Sequence, residues 1–482
     1  MCSFLITNKK VDQKTLDNAN YFLKFRGPDL TNQIKENNFT FIHNLLSING
    51  KFTPQPFIED NIVCVFNGEI YNYREFDPNA TSDGQVLIQL YKEFGNQFFK
   101  KLDGEFAIVI VDFNKNIILA AVDTFECKPL FLSRDGGFFG ASSLRSGLIK
   151  LGYKQIREIR ANTIIQLNLK TLKTELLDTI THFDVNNEHK DSFDDWHDAF
   201  EASVNKRMTN LNTDYSVIAD LSEGYDTGSI VACLKRFNHK NVVIRSIYTQ
   251  DKYPHVLKWR HNILDAPLPK NSKNNYFEPG NLNFKKNLIV MEESKFNLSA
   301  LMYKKRVEDY TYVLFDYNGK MIRRTTSQHF SKYCYIYDEK LRLENNTKVA
   351  LCGTGGDGAA NPYANLIYKK YNHIWPCMTF RENVPYLNEV IGGSHGIEFR
   401  YPYYDKKLWQ ETFYLNKKIC INENRNHKPP LHAYLEKNNF PFYERNDDGK
   451  INFYWIGFGN FMHDNIKKSR IDWGQPHFWN ER

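Results

Sequence analysis

The chain has 482 residues, of which 41% are hydrophobic and 15% aromatic, a length and apolar share that imply a globular chain of two or three domains with sizeable cores. Its 63 Lys and Arg stand against 56 Asp and Glu, a formal charge of +7 spread along the sequence, which speaks against a nucleic-acid groove. The eight cysteines include no CxxC pair, which speaks against a zinc site or a disulfide framework, and apolar runs such as FAIVIV are too short to span a bilayer. With no secretory leader pattern at the start, the expected setting is cytoplasmic, without membrane or nucleic-acid partners.

The sequence opens MCSFLIT, with Cys2 directly behind Met1. Removal of Met1 would leave a thiol and a free α-amine on one residue, a nucleophile beside its own base. Taken alone, a cysteine at position 2 can also be chance.

Between residues 40 and 170 short apolar runs alternate with turn signals: FTFIHNLLSI, NIVCVF, FAIVIVDF, NIILAAVD, GGFFGAS and NTIIQLNL. These predict the strands of a β-rich domain. Helical spacing over residues 83–99 adds a covering helix, so the first domain reads as α+β, sheets layered with helices. The polar stretch DVNNEHKDSFDD reads as a linker, and the boundary is placed there, with domains over 1–185 and 186–482. Beyond it a helix is expected from DWHDAFEASVNKRM. The strand YSVIADL, the loop SEGYDTG and the helix SIVACLKRF then begin an α/β unit with a parallel sheet. KVALCGTGGDGAANPY is a second such junction, while residues 250–345 offer few firm elements.

Four further segments give Cys2 its context: FRGPD (25–29), HNLLSI (43–48), FNGEIYNY (66–73) and LDGEFAIVIVD (102–112), followed by VDTFECKPLF. In this order and over this span they resemble the class II glutamine amidotransferases with an N-terminal nucleophile, most closely the asparagine synthetase family. Family members carry MCG or MCS, RGPD, H-x-RLSI, NGEIYN, LDGxFAF and RDxxGxKPL. The resemblance implies an N-terminal-nucleophile (Ntn) hydrolase fold in which Cys2 attacks the amide of glutamine. Asn67 and Gly68 would hold the oxyanion, a task that needs fixed donors. Leu46, Ser47, Ile48, Glu69 and Asp83 would bind glutamine. By themselves NGE reads as a hairpin turn and Asp83 as a residue at a helix start. One departure matters: Leu45 stands where the family has the arginine that holds the glutamine carboxylate. Either a residue such as Lys51 takes over or glutamine binds weakly, with a raised KM.

The second half resembles the family's PP-loop (adenine nucleotide alpha hydrolase-like) synthetase domain more patchily. SEGYDTGSI aligns with the family's SGGLDSS, a pyrophosphate-binding loop, and LCGTGGDG with its LSGEGSDE. The strand-loop-helix form suits an anion, although it is also an ordinary turn. By resemblance, Leu221, Ser222, Gly224, Asp226, Thr227, Ile247, Cys352, Gly353 and Asp357 would bind ATP and pyrophosphate, with Asp226 and Asp357 also on Mg2+. HGIEFRYPYYDKKLW aligns with G-x-EARVPFLDKxFL and would bring Glu398 and Arg400, with Thr354, to the nucleotide or acceptor. Glu223 replaces a glycine, and Thr354 and Gly358 replace two glutamates. The catalytic lysine of the family has no aligned match, since Asp447 stands at its spacing; Lys450 is the nearest substitute and Lys428 another.

The function implied is an ATP- and Mg2+-dependent, glutamine-hydrolysing amidotransferase. Ammonia from Cys2 would amidate an adenylated small-molecule carboxylate. The lost acidic groups point away from aspartate, toward a sugar or nucleoside acid. Asparagine synthesis from aspartate stays open, as does a non-catalytic binding or regulatory protein. A β-lactam-forming relative fits less well, because the Cys2 set is retained. A homodimer is one open assembly.

Overall fold

In SFLIT the alternate side chains part company: Phe4 and Ile6 join one core with Phe41, Val65 and Val109, whereas Leu5 joins another with Leu16, Ile42 and Leu148. That period of two makes each strand a wall between layers. The structure, a computed structural model, describes residues 2–211, 214–248, 254–264, 288–292, 311–315, 321–325, 346–361, 369, 384–420 and 428–442.

Two six-stranded sheets, antiparallel at every pairing, face each other across the core of Phe4 and Val65. The first has the order Ile156–Glu158, Phe131–Asp135, Phe138–Ser142, Ser3–Thr7, Phe39–Leu45, Leu30–Glu36. The second runs Thr174–Asp178, Thr163–Asn168, Ile117–Val122, Gly104–Asp112, Ile62–Ile70, Phe57–Glu59. Helices Gln13–Ala19 and Arg145–Lys150 cover the outer face of the first sheet, and Leu87–Phe94 with Phe98–Lys101 cover the second. The result is a helix/sheet/sheet/helix sandwich with the Cys2 strand near the middle of its sheet.

The helix expected over 83–99 is broken. A 3-10 turn spans Asp83–Val86, the α-helix Leu87–Phe94 follows, and it ends at Gly95, whose φ of +58° stops it. The stretch read as a linker is pinned rather than free: His189 and Lys190 donate backbone N–H bonds to Tyr414 O at 2.9 and 3.0 Å. Helix Asp194–Met208 then begins with Asp194 and Asp195 and ends with Lys206 and Arg207, matching charge to its dipole.

A five-stranded sheet follows, parallel throughout, in the order Leu288–Glu292, Val242–Tyr248, Ser216–Asp220, Thr347–Leu351, Glu398–Arg400. From the central strand Ser216–Asp220 the chain moves first to one neighbour and later to the other. Loops leaving the carboxyl ends of Ser216–Asp220 and Thr347–Leu351 therefore adjoin this switch point, the crevice where such sheets bind ligands. Among the described residues, the span 250–345, poor in sequence signals, contributes helix Pro254–Ile263, the edge strand Leu288–Glu292 and the hairpin Thr311–Phe315/Met321–Thr325. One hydrophobic cluster runs from Leu5 and Leu16 to Trp196, Val217, Leu351 and Tyr401, joining the first sandwich to the parallel sheet. Among the described residues no helix is long and apolar enough to cross a membrane.

Candidate active site

Cys2 precedes the strand Ser3–Thr7. Its Sγ accepts the Leu46 N–H at 3.4 Å, and its carbonyl accepts from Arg26 Nε at 3.2 Å. Burial pushes the thiol up to about 12, against the opposing pull of the positive chain terminus and the Leu46 bond. Such a thiol stays protonated at neutral pH unless a base takes its proton, which is the task an α-amine on the same residue can perform.

The strand Ile62–Ile70 carries the next three residues. Asn67 is fully buried, and among the described residues neither atom of its amide has a partner. Gly68 has φ +143°, and a Cβ there would lie 2.0 Å from Glu105 O, so both conformation and space demand glycine. Glu69 pairs with Arg400 at 3.1 Å and accepts from the Asn49 amide. Burial and the nearby Glu398 charge raise the Glu69 carboxyl well above its usual range. Asp83 accepts the Ile70 and Gly84 N–H groups, each at 3.0 Å, and burial pushes it up to about 6. Ser82, one residue earlier, makes the capping box with Gln85, so Asp83 opens its turn without being the cap.

Leu45, Leu46 and Ile48 are buried, and Ser47 N donates to Asp29 Oδ2 at 2.8 Å. Lys348, from the parallel sheet, donates to Asp29 at 2.8 Å and to Ser47 O at 3.1 Å, which puts a cation beside this segment that the sequence did not suggest. Lys51 bonds Thr81 O through its backbone. His43, two residues before Leu45, is a further group without a sequence-assigned role. It is fully buried, its Nε2 lies 3.3 Å from Phe66 O, and burial pushes its pKa down to about 3, so the ring is neutral.

The two loops of the parallel sheet meet. Ser222 N donates to Thr227 Oγ1 at 3.1 Å, the two hydroxyls lie 2.8 Å apart, and Gly224 N donates to Ser222 Oγ at 3.1 Å. A Cβ on Gly353 would lie 3.1 Å from Thr227 Cγ2, and one on Gly356 would lie 2.3 Å from Asp226 Oδ1. Small residues here let the loops touch. Asp226 and Asp357 converge on one cation: Lys428 Nζ lies 2.7 and 2.6 Å from the two Asp226 oxygens and also pairs with Asp357. Two carboxylates converging on one cationic position suit Mg2+, which takes one or two carboxylates and fills its remaining positions with phosphate oxygens and water. Leu221 is buried beneath, and the Cys352 thiol touches Thr354 Oγ1 at 2.9 Å and Asn388 Nδ2 at 3.2 Å.

Arg260, which no motif flagged, lies fully buried under the first loop and donates to the carbonyls of Ser222 and Gly224. A Cβ on Gly228 would be 2.6 Å from its guanidinium, which gives that glycine a reason. Glu398 and Arg400 are placed against Glu69 and Asn49, on the Cys2 side, and are joined to each other at 2.8 Å. Despite burial, Arg400 and Lys128 hold the Glu398 carboxyl down to about 2. Ile247 lies in the strand Val242–Tyr248, but its side chain, like Lys450 and Asp447, is outside the described residues.

Residues 1–189 match the family model described as a glutamine amidotransferase domain. Asparagine synthetase (glutamine-hydrolyzing) 2 of Bacillus subtilis is 38% identical over 122 residues, 23% of this chain and 16% of that one. Asparagine synthetase (glutamine-hydrolyzing) 3 of the same organism is 27% identical over 267 residues, 46% of this chain and 42% of that one. Asparagine synthetase B (glutamine-hydrolyzing) of Escherichia coli is 23% identical over 430 residues, 83% of this chain and 72% of the relative. Over the first curated relatives the match spans only 26%, 16% and 42% of the relative's length. Residues 1–189 thus carry a glutamine amidotransferase domain, and the chain is similar, most strongly in this part, to glutamine-hydrolysing asparagine synthetases.

Proposed function

We propose that the chain is an ATP-dependent carbon-nitrogen ligase that takes its nitrogen from glutamine, with residues 1–185 as the glutaminase domain and 186–482 as a PP-loop synthetase domain. The observation that carries the first half is the buried Asn67 amide, without a partner among the described residues, on the strand that also presents Gly68 and Glu69. After loss of Met1, the Cys2 amine takes the thiol proton and Sγ attacks the glutamine amide carbon. The Asn67 amide and Gly68 N–H hold the developing oxyanion. The Cys2 ammonium gives that proton to the leaving nitrogen, and expulsion of ammonia leaves a thioester, which water hydrolyses to glutamate and free thiol. Glu69, Asp83 and the segment Leu46, Ser47 and Ile48 orient the substrate.

In the second half, Ser222, Gly224 and Thr227 offer hydroxyl and backbone groups to the pyrophosphate of ATP. Leu221, Ile247, Cys352 and Gly353 line the nucleoside side. Asp226 and Asp357 would hold Mg2+, which when bound neutralises phosphate charge, and Lys428 is the cation already between them. Of the two substitute lysines, the contacts of Lys428 support it as the one that faces the transferred group. A carboxylate oxygen of the acceptor attacks the α-phosphorus of ATP and pyrophosphate leaves, and ammonia then displaces AMP from the acyl-adenylate to leave an amide.

The acceptor we propose is a carboxylate other than aspartate, a sugar or nucleoside acid, because Thr354 and Gly358 stand where acidic groups would be. Aspartate is the second reading, and the names of the curated relatives favour it. ATP-pyrophosphate exchange with Mg2+, run without glutamine on aspartate and on a panel of sugar and nucleoside acids, separates the two. Exchange with a panel acid and none with aspartate is expected. Exchange with aspartate alone establishes the second reading, and silence throughout beside an active glutaminase would mark the second half as non-catalytic.

A further inference from the structure

Arg26 of the RGPD segment is fully buried and reaches two ways. Its Nε donates to the Cys2 carbonyl at 3.2 Å, and its NH2 lies 2.9 Å from Glu389 Oε2, while NH1 donates to the Glu389 carbonyl. Glu389 belongs to helix Val384–Gly393, more than 360 residues downstream of Cys2, and is itself fully buried. Its other oxygen is held by Lys128 Nζ at 3.2 Å and Tyr401 OH at 3.1 Å. One turn further along the helix, Gly393 lies directly under the guanidinium: a Cβ there would be 2.6 Å from Arg26 NH1. A carboxylate fixed by Lys128 and Tyr401, and a glycine that clears the approach, are both needed for Arg26 to lie where it holds Cys2.

We infer that Glu389 is a positioning residue for the nucleophile: through Arg26 it fixes the backbone of Cys2 and so the line of attack of Sγ. The inference rests on the proposed glutaminase reaction. A buried guanidinium deprived of its carboxylate would seek another partner, and the carbonyl of Cys2 would lose its donor. Displacement of a nucleophile by about 1 Å can cost on the order of 10²-fold in rate while leaving substrate contacts made by other residues intact. The same helix touches the second loop cluster through Asn388, whose Nδ2 donates to Cys352 Sγ at 3.2 Å. The nucleophile of one half is thus braced by an element that also borders the other half's crevice.

Two variants of the full chain test this. Glu389→Gln removes the charge, and Gly393→Ala keeps every charge but pushes the flexible end of Arg26 aside, so the second remains informative if the first folds poorly. Glutamate release from glutamine should show kcat lowered about 10²-fold in Gly393→Ala and Glu389→Gln with KM within about twofold, the signature of lost alignment rather than lost binding. Alkylation by iodoacetamide, mapped by mass spectrometry, should become faster at Cys2 while Cys64, fully buried in the second sheet, stays unlabelled as in the parent. A kcat within twofold of the parent in either folded variant would overturn the inference. If the parent itself releases no glutamate, the functional reading fails, and the positioning role is decided by alkylation alone: an unchanged Cys2 rate in both variants overturns it.

Discussion

Asn67 is buried with its amide unpaired among the described residues, and an unsatisfied buried polar group costs on the order of 1–3 kcal/mol. Natural chains keep such a cost where a ligand repays it. Asn67→Leu, similar in volume and apolar, is therefore expected to raise Tm while lowering kcat for glutamine hydrolysis by about 10² to 10³; an active, unchanged variant would remove Asn67 from the oxyanion role. Leu45 cannot pair with a carboxylate, and the missing charge-assisted bond is worth roughly 1.5–3 kcal/mol. Glutamine KM should be high in the natural chain, and Leu45→Arg should lower it by roughly tenfold or more. Equal KM values in steady-state assays would show that another cation, with Lys348 the one the structure puts beside Ser47, already does this work.

Gly68 makes the strand Ile62–Ile70 possible. Its φ of +143° and the 2.0 Å distance that a Cβ would have to Glu105 O mean that Gly68→Ala strains backbone against backbone. A loss of about 1–3 kcal/mol, read as a lower Tm or denaturant midpoint, is expected, and an unshifted transition would contradict the geometry. The turn after Asp123 carries a different strain: Glu126 has φ +57° and is buried. Burial, then the charge of Glu158, push its carboxyl from 4.5 up to about 8. A raised carboxyl pKa means that the folded state keeps a proton the unfolded chain releases. The corresponding stability is complete below pH 4.5 and is lost as pH rises toward 8. Glu126→Gln should flatten the fall in Tm across that window; an identical pH profile would show that Glu126 ionises freely. These elements also show what could be read from residues alone. NIVCVF and FAIVIVDF announced their strands because apolar runs fill both faces of a buried sheet. Leu30–Glu36 and Thr174–Asp178 gave no such signal, being edge strands with half-exposed polar residues, and the break at Gly95 is a matter of one φ angle.

The molecule as a whole is held by buried ion pairs that cross between its halves: Arg26 and Lys128 to Glu389, Arg207 to Glu105, and Arg400 to Glu69. Removing one partner of such a pair leaves a buried charge and costs about 3–5 kcal/mol. This is why Glu398 and Arg400, assigned from their motif to the nucleotide or acceptor, stand beside Glu69, and why Glu389 was invisible in the sequence. Motif spacing shows which residues a chemistry needs. It does not show which distant charge each will meet once the sheets pack. Cys2, Asn67 and Gly68 stand out in the sequence because the proposed reaction would constrain those residue types, whereas the supporting charges answer only to the fold. The central claim, that Cys2 releases ammonia from glutamine for use in the second half, is tested most directly by Cys2→Ala. Glutamate release should be abolished while amide formation supported by ammonium persists; undiminished glutamate release from the variant, or none from the natural chain, would contradict the account.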